Sequence, residues 1–196
     1  MTPDSLFDDF DNYIKEAHRL REKYRDNIEI LTGMETEYIH DEWTGKDGST
    51  VQGSLDLALS IKKRYDLDYL VGSVHHVKGI PIDYDLKMYA EAEQACQIDG
   101  TKNADHLTEG IFQEYFLAQH RMLQTLKPTV VGHFDLIRLF RPAHPLSDIV
   151  WGLINKNIDL IVELDALVEL NSRAWKKSLP SAYPFKDILE VQVYLL

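Results

Sequence analysis

The chain has 196 residues, 44% of them hydrophobic and 10% aromatic, which suits one domain with a packed core and is too short for two ordinary ones. Its formal net charge of -11 repels a polyanion, so no nucleic-acid partner is expected, while a small phosphorylated substrate held by a metal stays open. One cysteine, Cys96, excludes an intrachain disulfide and fits a reducing, cytoplasmic setting.

From the N-terminus, residues 4 to about 26 keep a helical apolar rhythm through Leu6, Phe10, Tyr13 or Ile14, Ala17 and Leu20, with Asp4 or Ser5 as cap. The start lacks the basic and apolar regions of a secretory signal. A β-prone run over residues 28–32 continues through Gly33 and Met34 to Glu35, Thr36 and Glu37. Residues 41–53, rich in Gly and polar side chains, read as a loop with His40 and Trp43. Ser54 is placed to cap a second helix, with Leu55, Leu59 and Ile61 on its apolar side.

Residues 68–74 form a short apolar strand that runs onto His75 and His76, then a loop with Gly79, Pro81, Asp83 and Asp85. Helices are expected over residues 86 to about 97 and 105 to about 126; Pro128 stops the second. A strand over 129–132 ends on His133, Phe134 and Asp135. A turn at Pro142 and Pro145, a helix over 147–164 and a strand over 166–170 complete the pattern. The last residues, 191–196, are apolar apart from Gln192 and carry no turn signal. No apolar run approaches the roughly 18 residues of a membrane span. Strands separated by such helices predict parallel β-α-β units and an α/β fold.

Three candidates share one setting: Glu35 follows the first strand, His75 the second and His133 the third. Parallel strands present their C-terminal ends on one face, so a carboxylate and two imidazoles can converge there on Zn²⁺, Mn²⁺ or Fe²⁺. Taken singly, each reads equally as a polar residue at a strand end. His76 should face away from His75, because neighbours on a strand alternate. Asp83 and Asp85 are placed either to meet a cationic substrate group or to form turns. His18, His106, His120, His144 and Cys96 read as surface or packing residues. There is no Walker loop, no Gly-x-Ser-x-Gly elbow and no Cys-x-x-Cys pair.

The segment from Gly72 through His75, His76, Gly79, Pro81 and Asp83 to Asp85 resembles a metal motif of fungal histidinol-phosphatases in the polymerase-and-histidinol-phosphatase (PHP) superfamily. Gly33-Met34-Glu35 is similar to the motif bearing their bridging carboxylate, and Gly132-His133-Phe134-Asp135 to a later strand-end motif. Leu170-Asn171-Ser172, followed by Lys176, Lys177 and Tyr183-Pro184, resembles the segment after the next strand.

The resemblance implies an incomplete, distorted (β/α)7 PHP-type barrel with parallel strands, over residues 1–190, with 191–196 as an unmatched tail. It implies a metal-dependent phosphoric monoester hydrolase acting on L-histidinol phosphate in histidine biosynthesis. Complete members hold two or three divalent ions, which bind the phosphate and acidify a water. By position Glu35, His75 and His133 become metal ligands, with Lys176 near the phosphate and Asp83 near the substrate. The family's N-terminal His-x-His and C-terminal Asp-x-His motifs have no counterpart in these residues, so a fragment is expected, with activity below the usual 1–10³ s⁻¹, an order-of-magnitude range. The alternative expectation is a catalytically impaired fragment or pseudo-enzyme that self-associates through open barrel edges. A PHP exonuclease is a weaker rival, disfavoured by the acidic charge.

Overall fold

The apolar stripe of the first segment makes α1 (Pro3–Tyr24), which buries Ile14 and Ala17 and lays Phe7 and Phe10 against the core. In the computed structural model, which describes residues 3–39, 53–98, 100 and 103–193, His18 on this helix is exposed. The expected loop with His40 and Trp43 lies outside the described residues.

Of the expected first strand only β1 (Gly33–Glu37) forms. The reason lies at Thr32. Its amide donates to the Asp68 carboxylate at 2.6 Å and its hydroxyl to the same oxygen at 2.9 Å, and Arg21 pairs with that group too. Residues 28–31 therefore stay out of the ladder, with Ile28 and Leu31 exposed.

Helix α2 (Ser54–Tyr65) buries Leu55, Ala58 and Ile61. Ser54 does not cap it: the residue is already helical, and its hydroxyl accepts from the Ile39 amide at 2.9 Å and donates to the Ile39 carbonyl at 3.1 Å. After β2 (Tyr69–Ser73) comes a hairpin of β3 (His76–Val77) and β4 (Ile80–Pro81). Its two-residue turn, Lys78-Gly79, has φ of 52° and 74°, as the right-handed twist of a tight hairpin requires. The expected open loop after His75 is thus a hairpin in its first half. Then come α3 (Leu86–Ala95), α4 (Ala104–Leu126), β5 (Val130–Val131), a 3-10 helix (Leu136–Phe140) and α5 (Asp148–Glu163). The chain continues with β6 (Leu167–Val168), α6 (Arg173–Lys176) and α7 (Lys186–Val193), so that α7 crosses the expected boundary at residue 190.

All pairings between β1, β2, β5 and β6 are parallel and in chain order, with helices in every crossover. This is an arc of parallel β/α units, as the sequence pattern predicts. Phe112, Tyr115, Phe116, Met122 and Leu123 of α4 are fully buried between the sheet and α5, each contributing roughly 1.5–3 kcal/mol. Gly72 lets α4 come this close, since a Cβ there would sit 2.5 Å from Met122 Sδ. Among the described residues β1 and β6 each pair on one side only.

Candidate metal centre

The sheet register brings the three strand-end candidates together. Glu35 pairs with Val71 inside β1, so it projects from the strand and does not follow it as expected. Its longer side chain spans the difference. His75 and His133 stand beyond the ends of β2 and β5, with the Gly132 amide donating to the Gly72 carbonyl at 3.0 Å. Glu35 Oε1 lies 3.4 Å from His133 Nε2 and 3.9 Å from His75 Nε2. The imidazole rings are 5.4 Å apart, and one ligand atom from each of the three residues lies within 4.8 Å of the others.

Neighbouring residues hold this arrangement. The Ser73 hydroxyl donates to Glu35 Oε1 at 2.7 Å. Glycine at 132 leaves room for this contact, because a Cβ there would meet Ser73 Oγ at 2.6 Å and push the hydroxyl aside. His133 has a φ of 45°, a left-handed conformation that costs of order 1–3 kcal/mol off glycine. Its carbonyl accepts from Tyr115 Oη at 3.1 Å and from the Leu136 amide at 2.9 Å, which fixes the turn.

The charges are coupled. The hydrogen bond to His133 is the main cause that lowers the Glu35 pKa to about 2; Ser73 adds to it and partial burial opposes it. Glu35 in turn is the main cause that raises the His133 pKa, against burial and with help from Glu169. An ionised carboxylate beside two imidazole Nε2 atoms suits a divalent cation, which would take the place of the ring proton. The residues present fit such an ion.

Around this cluster is a cavity of about 560 Å³ that is also lined by Asp83, Asn171, Arg173, Lys177 and Tyr183. Asp83 thus lines the cavity, whereas Asp85 caps α3 by accepting from the Met88 amide at 2.8 Å. Lys176 is not among the lining residues. Arg173 and Lys177, four apart on one turn, share the face toward the cavity, and Lys176 falls off it. Arg173 escaped the sequence reading, although its place two residues after Asn171 on the strand-end loop was the available signal.

His76 stays out of the three-residue cluster, as expected, for a different reason. The strand ends at Ser73, and His76 opens β3, where its Nδ1 contacts Glu37 Oε1. Glu37 Oε1 is also 3.9 Å from His75 Nδ1. Burial pushes the Cys96 thiol up to about 12, which leaves it inert. His106 is exposed, His120 bonds Asn157 Oδ1 at 2.9 Å, and His144 packs edge-on against Phe112.

The segment carrying Arg173, Lys177 and Tyr183 is secured from below. Asn171 and Tyr183 form a backbone bridge. Fully buried Asp135 accepts from the Phe185 amide at 2.9 Å, and Arg138 pairs with Asp187 at 2.8 Å while covering the Phe185 ring at 4.1 Å. No described helix is long and apolar enough to cross a membrane.

Residues 1–173 match the PHP domain. The chain is 39% identical to the "Probable histidinol-phosphatase" of Schizosaccharomyces pombe, over 98% of its own length and 58% of that protein's. It is 27% identical to the "Histidinol-phosphatase" of Saccharomyces cerevisiae, over 91% of this chain and 57% of the relative. The chain thus spans less than two thirds of the curated relatives' length. In fold it is similar to a crystal structure described as that of the "putative histidinol phosphatase hisK from Listeria monocytogenes". The TM-score is 0.70 at 20% identity, over 96% of this chain and 68% of that one. A match to the PHP domain across most of its residues, on the parallel arc and strand-end cluster described above, shows that the chain belongs to the PHP domain family.

Proposed function

We propose that the chain carries the metal-binding core of a phosphoric monoester hydrolase that converts L-histidinol phosphate to histidinol and inorganic phosphate in histidine biosynthesis. The observation that carries this reading is one cavity with an acid–imidazole cluster on one side and Arg173 and Lys177 on the other. The names of the relatives from two yeasts support the choice of substrate.

Glu35, His75 and His133 would hold a divalent ion: Zn²⁺, Mn²⁺ or Fe²⁺. When bound, the ion supplies Lewis-acid charge and makes water more acidic. Arg173 offers the planar fork that suits phosphate, and Lys177 adds a point charge. Asp83 is the acidic group in the same cavity that can meet the ammonium of histidinol phosphate. Lys176, outside the cavity lining, takes no part. Buried Cys96 as the one cysteine agrees with a cytoplasmic setting.

The test is phosphate release from L-histidinol phosphate by the purified chain with Zn²⁺ or Mn²⁺, against chelator and against His133→Ala. Release that depends on both the metal and His133 is expected. Equal release in chelator would end the proposal.

A second reading, association of a catalytically impaired unit, draws on the edge strand β6. Leu167 within it and Leu170 just beyond it are exposed at 65% and 64% and border an apolar groove with Ile158 and Val162. A monodisperse monomer in sedimentation would remove it.

A further inference from the structure

Glu169 lies one step beyond the β5–β6 ladder. The pairing of Val131 with Val168 and the bond from the Glu169 amide to the Val131 carbonyl, 2.9 Å, set its side chain beside the His133 turn. Its Oε2 stands 2.9 Å from His133 Nδ1 and accepts from the His133 amide at 3.2 Å. One oxygen therefore serves both the ring and the backbone of the same histidine. Its Oε1 accepts from Asn171 Nδ2 at 3.1 Å.

The orientation of Asn171 is not arbitrary, because its Oδ1 accepts from the Arg173 amide at 2.8 Å. Asn171 Nδ2 also approaches His133 Nδ1 at 2.9 Å. The two contacts ask opposite things of Nδ1: a proton to meet Glu169, or a lone pair to meet Asn171. The carboxylate decides it. Asn171 has Glu169 Oε1 as an acceptor for its hydrogen, whereas a bare lone pair on Nδ1 would face the charged Oε2 at 2.9 Å with nothing between. Glu35 Oε1, which competes for the ring proton at Nε2, stands farther off at 3.4 Å and already accepts from the Ser73 hydroxyl.

We infer that Glu169 is a positioning residue, which keeps the neutral His133 ring protonated on Nδ1 and so turns the Nε2 lone pair toward Glu35 and His75. The inference rests on the reading of Glu35, His75 and His133 as a metal site, and it adds the outer partner that metal-binding histidines usually have. Through Asn171 and the Arg173 amide, the same carboxylate ties the acid–imidazole side of the cavity to its basic side.

Two measurements test it. Nitrogen-15 NMR of His133 in the metal-free chain, in buffer alkaline enough to leave the ring neutral, should find the Nδ1–H tautomer; Nε2–H there would overturn the inference without any variant. In Glu169→Ala the neighbour left for Nδ1 is the Asn171 Nδ2 donor, so the tautomer should move toward Nε2–H. Zn²⁺ affinity by calorimetry should fall about 10- to 100-fold. A folded Glu169→Ala chain with wild-type tautomer and wild-type Zn²⁺ affinity would overturn it as well. If the unaltered chain bound no Zn²⁺, the metal-site reading would fall, and the tautomer would still decide the role of Glu169.

Discussion

The two sides of the cavity are built by different means. Glu35, Ser73, His75 and His133 hang from adjacent parallel strands, and backbone register sets their separations. Arg173, Lys177 and Tyr183 belong to an irregular segment that reaches the cavity through one backbone bridge and the Asp135, Arg138 and Asp187 anchors. Register is shared by many backbone hydrogen bonds, so no single side chain controls it. The anchored segment depends on a few buried polar contacts, and its geometry is correspondingly easier to lose. A rigid metal side facing a substrate side held by side chains lets substrate contacts vary with little effect on the ligands, apart from the link through Glu169 and Asn171.

Substitutions can separate the two. The largest effect is expected from His133→Ala or Glu35→Gln, which should weaken Zn²⁺ binding on the order of 10³-fold by calorimetry, since losing a ligand exceeds losing an outer partner. Both chains should remain folded. Next is Arg138→Met, which strips Asp135 and Asp187 of their counter-charge. It should cost about 3 kcal/mol in denaturant unfolding and weaken phosphate binding, with Zn²⁺ affinity held within about two-fold. A parallel fall in Zn²⁺ affinity would mean that the two sides are one unit.

Arg173→Ala should reduce affinity for inorganic phosphate about tenfold or more in the Zn²⁺-loaded chain, as expected for a lost charged hydrogen bond. Below that comes a pH effect. Burial, the largest cause, lifts the Asp135 pKa from 3.8 to about 7. A raised pKa means that the folded chain holds this proton more tightly than the unfolded one does. Its contribution is full below pH 3.8 and is lost as pH rises through about 7. Asp135→Asn should remove that loss, flattening the melting curve series by about 1 kcal/mol per pH unit across this window. An unchanged slope would show that Asp135 is ionised throughout. The smallest effect belongs to Lys176→Ala, where phosphate affinity should stay within about two-fold, as for an exposed charge away from the cavity. A loss equal to that of Arg173→Ala would restore Lys176 to the site.

What could be read from the residues followed the same division. Apolar periodicity marked α1, α4 and α5, and short apolar runs that end on histidines marked β2 and β5. Parallel strands then allowed Glu35, His75 and His133 to meet, because their C-terminal ends share one face and so convert distance in sequence into neighbourhood in space. That logic has no counterpart where the backbone is irregular. Nothing local distinguishes Lys176 from Lys177 until the turn of α6 is set against the cavity, and only the place of Arg173 just after Asn171 hinted at its role. The hairpin of β3 and β4 was hidden because Lys78 adopts a φ of 52°, which its residue type does not announce.

The sequence by itself determined the α/β class, the parallel strands and the three residues able to converge at their ends. Those features depend on hydrophobic period and on backbone geometry common to all residues. Only the tertiary structure decided which basic residues face the cavity, which aspartate lines it and which caps a helix, and that Glu169 stands behind His133. These depend on side-chain contacts between segments distant along the chain, and no period in the sequence encodes them.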